Sequence, residues 1–232
     1  MLTIGVANQK GGSGKSTIAC SLAVEAEARQ HRVLIVDLDP QASIMLWHQE
    51  RGTNAPMVFP LSTPEELGEM LQSAARLGVT LAILDAPSKI DSTTLACIRA
   101  ADLVISPTMA DLFNLGSLQD TVRLLEAGQK LDRTVAIING VSETGAESKI
   151  EDAKKAIATF KMHICPVIVH HRPAFQTAIE KGMGVTELGP RANKAAEEIR
   201  AVWKYLDRYA KQLKSRAGAK KEKAKTRERA QS

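Results

Sequence analysis

Lys10-Gly11-Gly12-Ser13-Gly14-Lys15-Ser16-Thr17 follows the apolar run Leu2-Thr3-Ile4-Gly5-Val6-Ala7, and the two together decide the fold. An apolar strand, a glycine-rich turn and a helix start make a phosphate-binding loop. The glycines let the backbone curl until several N–H groups face one anion, and the following helix adds the positive end of its dipole. Gly11, Gly12, Ser13, Gly14 and Thr17 are the expected phosphate cradle, with Lys15 on the β- and γ-phosphates and the Ser16 hydroxyl on Mg²⁺. The general pattern places a glycine five residues before Gly14. That position is Gln9 here, and a second lysine, Lys10, opens the loop. A lysine at the head of the loop cannot easily fold back onto phosphates that its own backbone encloses, so it is free to reach a nucleotide held by a facing subunit.

The rest of the chain repeats one theme. Residues 16–30 carry Ile18, Ala19, Leu22, Ala23 and Ala26 at helical spacing, with charge on the other face. Val33-Leu34-Ile35-Val36-Asp37-Leu38-Asp39-Pro40 is a continuous apolar run ending in two carboxylates, as strands buried on both faces read. Such strand ends are where α/β sheets hold ligands. If both are extended, Asp37 and Asp39 point to opposite faces, so their roles should differ. Thr80-Leu81-Ala82-Ile83-Leu84-Asp85-Ala86-Pro87 repeats the pattern and puts Asp85 at a strand tip, where it can orient a Mg²⁺-bound water. Further strands are expected at 57–59, 103–107, 134–140 and 163–169, the last at an edge or a strand start because it contains Pro166. Helices are expected over 41–51, from Thr63-Pro64-Glu65-Glu66 to a stop at Gly78, and over about 111–129, 148–160, 172–181 and 191–213. This alternation predicts an α/β fold with a mostly parallel, doubly wound sheet and helices on both faces. Residues 1–210 read as one domain without internal repeats.

A chain of 232 residues suits a single core, and 44% hydrophobic residues can fill it. Aromatic residues make up only 3%, so nucleic acid would be held by charge rather than by stacking. Residues 211–232 hold nine Lys/Arg and two Asp/Glu, a net +7 of the chain's formal +5, which leaves −2 for residues 1–210. The basicity belongs to the tail. No run of eighteen apolar residues and no leader pattern is found, which predicts a cytoplasmic protein without a membrane anchor. Cys20, Cys97 and Cys165 lack Cys-x-x-Cys spacing and read as reduced, structural thiols.

Lys-Gly-Gly-x-Gly-Lys-Ser/Thr-Thr resembles the deviant Walker A motif of the ParA/MinD ATPases, and the resemblance extends over about residues 1–210. It implies ATP and Mg²⁺ as cofactors and a nucleotide-sandwich dimer in which Lys10 contacts phosphate across the interface. Asp37-Leu38-Asp39-Pro40-Gln41 matches the first switch of that family. By this match Asp39 positions or activates the attacking water, making Lys10, Lys15 and Asp39 the catalytic set. Asp37 then lies near the metal shell with Ser16 and Asp85. Strand-end acids can also simply cap following helices. Asp85-Ala86-Pro87-Ser88 would be the second switch. Asn139 matches an asparagine that contacts adenine in such ATPases, although an asparagine closing a strand is also a good turn residue. Pro166 and Val167 fall where relatives line the base. His170-His171-Arg172 lies where relatives hold nonspecific DNA, without the expected arginine pattern.

The tail separates two kinds of relative. MinD-like proteins end in an amphipathic membrane helix, which needs bulky apolar residues. After Leu213 this tail has only alanine as an apolar residue, so a basic, flexible or transiently helical arm on DNA phosphates fits better. The family then implies a short partition ATPase that lacks an N-terminal DNA-reading domain. It would dimerise on ATP, bind nonspecific DNA over the nucleoid and be reset by hydrolysis that a ParB-like centromere-binding protein stimulates. The alternatives are an ATPase positioning a protein cargo (a chemoreceptor cluster or microcompartment), a reductase bridged by an iron–sulfur cluster, and a nucleotide-holding module without turnover. The reductase needs family-specific cysteines, and the surroundings of Cys97 do not match.

Overall fold

A computed structural model describes residues 1–110 and 115–229. The buried apolar runs form parallel strands. They are β1 (Leu2–Val6), β2 (Val33–Asp37), β3 (Met57–Pro60), β4 (Leu81–Asp85), β5 (Leu103–Met109), β6 (Thr134–Val141), β7 (His163–Ile164) and β8 (Val169–His170). They lie in the order β3-β2-β4-β1-β5-β6-β7, with β8 also on β6, and all pairings are parallel. The register sets Val6 beside Asp85 and Asp37 beside Asp85, so three strand tips end level.

Alternate residues of these strands feed two cores. Ile4, Val6, Ile35 and Ile83 pack beneath α1 (Lys15–Ala28), α2 (Ser43–Arg51), α7 (Pro173–Glu180) and α8 (Asn193–Arg229). Leu34, Val36, Leu84 and Val104 face α3 (Leu67–Arg76), α4 (Ser92–Ala100), α5 (Leu115–Ala127) and α6 (Glu147–Thr159). The expected doubly wound sheet is present, and the period-2 alternation of strand side chains explains its two layers.

Several boundaries differ from the sequence reading for local reasons. The helix after the loop is not two-faced: residues 18–26 are all buried, because the sheet lies on one side and α8 on another. Its one buried acid, Glu25, is paired with Arg29 at 2.9 Å. α2 starts at Ser43 instead of 41, since Gln41 and Ala42 donate back to Asp39 in a turn and Ala42 sits at φ 52°. Pro64–Glu66 forms a 3-10 turn before α3 begins. The expected strand at 163–169 is two short strands on either side of Pro166, which has no N–H to donate. The expected start of a helix at 111 lies outside the described residues. The final helix runs on to Arg229, past the expected end at 213.

Two glycines separate conformational strain from crowding. Gly182 (φ 62°) would bring a Cβ within 2.2 Å of the Arg51 backbone nitrogen, whereas Gly145 (φ 67°) faces open space. Gly145→Ala should cost about 1 kcal/mol through its backbone alone, and Gly182→Ala more than about 2 kcal/mol because α2 must also move. Urea unfolding measures both, and equal losses would show that the crowding at Gly182 is relieved freely.

Candidate functional site

The loop sits at the carboxyl ends of β1, β4 and β5. Gly14, at φ 87°, is the residue before α1, and a Cβ there would lie 2.3 Å from Asn139 Nδ2. Both the backbone and the space therefore require glycine. That Asn139 amide donates to the Ser13 carbonyl at 2.8 Å, which ties the loop to the end of β6. The head of the loop is also held. Asn8 donates to Pro107 O at 2.8 Å and its Oδ1 accepts the Lys10 N–H at 2.8 Å, while Gln9 Nε2 donates to the Asp120 carbonyl of α5 at 3.0 Å. Gln9, which breaks the general glycine pattern, is thus an anchor between loop and helix.

Inside the loop, Lys15 is buried and its Nζ donates to Ser88 Oγ. Burial lowers its pKa from the ordinary lysine value, while Asp85 and then Asp39 oppose that shift. The Ser16 hydroxyl donates to Asp85 Oδ2 at 2.6 Å. Asp85 is fully buried, and desolvation raises its pKa to about 7; the repulsion of Asp37 adds to that rise, while the hydrogen bond from Ser16 and the charge of Lys15 oppose it. Among the described residues, Oδ1 of Asp85 has no hydrogen-bond partner.

That orphaned oxygen tests whether the residues fit Mg²⁺. A hydroxyl and a carboxylate are the hard oxygen donors that Mg²⁺ takes, and the ion characteristically uses one or two protein ligands with phosphate and water completing its shell. Among the described residues no cluster of three or more His, Cys, Asp or Glu could hold a metal by itself. Ser16 and Asp85 fit the role.

The two acids at the end of β2 have different surroundings, although not by alternation along an extended strand: β2 ends at Asp37, and Asp39 lies in the turn that follows. Asp37 is buried and accepts N–H groups from Asp39 (3.2 Å) and Met45 (3.1 Å), so it caps the turn and the start of α2. Burial raises its pKa. Asp39 is half-buried and accepts the Gln41 N–H at 3.0 Å, which aims the turn from within.

A cavity of about 400 Å³ opens beside Gly12, Gly14 and Thr17 and is walled by Asn139, Gly140 and residues 170–173. Asn139, expected to contact the base, lines this cavity. Pro166 and Val167 do not line this cavity; Val167 packs against the core below. His170, His171 and Arg172, which lie where relatives hold nonspecific DNA, line this cavity. Arg172 is turned toward Glu198 (2.6 Å) and Glu143 (3.0 Å) with 13% of its side chain exposed. The sequence reading missed Ser88 as the lysine's partner, Gln9 as an anchor and Glu198 as a pocket support. Only Ser88 carried a signal, as the last residue of the second switch.

A parallel sheet with a glycine loop, an embedded lysine and strand-tip acids defines a P-loop nucleotide-binding protein. Residues 4–185 match the CbiA family, the CobQ/CobB/MinD/ParA nucleotide binding domain, and the chain belongs to it. It is 33% identical over 211 residues to the Maintenance of carboxysome distribution protein A of Gloeobacter kilaueensis, covering 88% of this chain and 94% of that protein. It is 30% identical over 151 residues to the chromosome-partitioning ATPase Soj of Thermus thermophilus, covering 53% of this chain and 61% of that one. Among solved structures, the MinD cell division protein of Aquifex aeolicus superposes with a TM-score of 0.69 at 16% identity, covering 89% of this chain and 96% of that one. Apo McdA of Cyanthece superposes at 0.63 with 21% identity over 87% and 99% of the two chains. These two superpositions show the shared fold.

The raised pKa of Asp85 sets a pH dependence. A carboxyl group whose folded pKa exceeds its ordinary value of 3.8 contributes stability below that value and loses it as pH rises through about 7. In the absence of metal and nucleotide, the melting temperature of Asp85→Asn relative to the parent should therefore climb between pH 4 and 8. A difference that stays flat with pH would mean that Asp85 is already ionised in the folded protein.

Proposed function

We propose that this protein is a Mg²⁺-dependent ATPase switch that dimerises on ATP, holds nonspecific DNA in that state and releases it after hydrolysis. The observation that carries this reading is the level set of strand tips. The loop after β1, Asp37 at the end of β2 with Asp39 in the turn beyond it, and Asp85 at the end of β4 meet at one edge of the sheet. Phosphoryl transfer depends on positioning and charge neutralisation more than on covalent help, and this set provides both. Mg²⁺, when bound by Ser16 and Asp85, neutralises charge on the β- and γ-phosphates.

In this mechanism the loop N–H groups and Lys15 hold the phosphate oxygens. Asp39 takes a hydrogen bond from the attacking water and aligns it with the γ-phosphorus. Asp37 holds the turn that carries Asp39, so any movement of α2 is felt at the water. Lys10 reaches the phosphates of the facing subunit and makes dimerisation depend on bound nucleotide. Asn139, on the wall of the cavity, holds the base.

Two cargo classes remain, each with its own support. A protein assembly moved over the nucleoid is favoured by similarity across 88% of the chain to a carboxysome distribution protein. Plasmid or chromosome partition with a ParB-like partner is supported by the shorter match to Soj. The basic segment at 211–232 supports DNA as the track in either case. No helix among the described residues is long and apolar enough to cross a membrane.

Lys15→Ala should abolish nucleotide binding, whereas Asp39→Ala should bind ATP and dimerise with turnover reduced about a hundredfold. Phosphate release and light scattering measure these, and full turnover in Asp39→Ala would move water alignment to another residue. DNA retention with ATP but not with ADP or without nucleotide establishes the switch. Truncation after Ala210 should weaken that binding and flatten its dependence on salt, because released counterions scale with phosphate contacts. An unaltered slope would remove the tail from the DNA interface.

A further inference from the structure

One half-buried carboxylate outside the phosphate site gathers several partners. Glu198, on the second turn of α8, is 13% exposed and accepts from three groups on the wall of the cavity. The His170 N–H reaches Oε2 at 3.1 Å, His170 Nδ1 lies 2.7 Å from Oε1, and Arg172 donates to Oε1 at 2.6 Å. Arg172 also pairs with Glu143 at 3.0 Å, and Lys194 closes the chain of charges on Glu143 at 2.8 Å. β8, which ends at His170, is only two residues long, and its register on β6 is broken between Asn139 and Val141. The backbone ladder alone therefore holds this wall weakly. Glu198 supplies the missing support from a different helix.

We propose that Glu198 is a positioning residue for the nucleoside end of the ligand: by gripping His170 and Arg172 it fixes the cavity wall against which the base rests. The inference rests on the nucleotide reading of the loop. It assigns no contact between Glu198 and ligand, and it leaves phosphate binding to the loop. Truncating Glu198 leaves two donors and a guanidinium without their acceptor, and the wall loosens while the phosphate cradle, tied to Asn139 and Gln9, stays formed.

Calorimetric titration of the full chain with Mg-ATP and with Mg-tripolyphosphate separates these ends, because tripolyphosphate fills the loop and has no base. Glu198→Ala should weaken ATP about tenfold and leave tripolyphosphate unchanged. Glu198→Gln, which keeps an acceptor oxygen in the same place, should fall between parent and Ala, and covers the case in which Ala fails to fold. Equal weakening of both ligands in a folded variant, or no weakening of ATP, overturns the proposal. Failure of the parent chain to bind either ligand would instead overturn the nucleotide reading itself.

Discussion

The hydrogen bond from Ser16 to Asp85 joins the first turn of α1 to the tip of β4, and the site depends on it. It can form because β1 and β4 run parallel in a register that pairs Val6 with Asp85. The loop leaves one strand exactly where the acid ends its neighbour. Burial then makes the carboxylate costly to ionise, and Lys15, itself desolvated, stands close enough to favour the charged form. Each group is poor in isolation and improved by a third charge, which is the condition for a site that tightens when phosphate and a divalent cation arrive together.

The same arrangement explains why two acids on one strand differ. Asp37 is still within β2 and turns inward, where two backbone donors satisfy it. Asp39 lies beyond the strand, in a turn built from its own carboxylate and carbonyl, and keeps partial access to solvent. On the proposed reading, the buried acid sets geometry and the half-exposed one meets water, although both also accept backbone N–H groups.

Much of this was legible because it is local. Glycines at Gly12 and Gly14, apolar runs ending in acids and the turn residues around Gly78 report their own backbone requirements. The sheet class follows from alternation. The shifted boundaries at Ser43 and Pro166 have local causes, whereas the misses at the site depend on contacts distant in sequence. Nothing around residue 198 shows that a glutamate there supports residues 170 and 172, and nothing around Gln9 reveals Asp120. The two-faced reading of α1 failed because its second face is covered by a helix about 170 residues later. The partners of Arg172 were hidden for the same reason, since its two carboxylates come from 143 and 198.

The path of α8 constrains how nucleotide and track could communicate. Glu198 stands by the cavity at the carboxyl edge of the sheet, while Leu213 and Lys214 adjoin Leu2 and Leu103, where β1 and β5 begin. The helix therefore descends the whole sheet and continues for sixteen residues beyond Leu213, or roughly 24 Å. Its basic segment leaves from the edge opposite the phosphates. On the proposed reading, a tail so placed cannot sense the γ-phosphate by direct contact. What ATP can change is the number of tails presented together, because a dimer formed across the phosphate edge carries two, and paired weak contacts on one DNA raise the effective concentration of each. Nucleotide control of DNA binding then follows from dimerisation itself, without any rearrangement inside the tail.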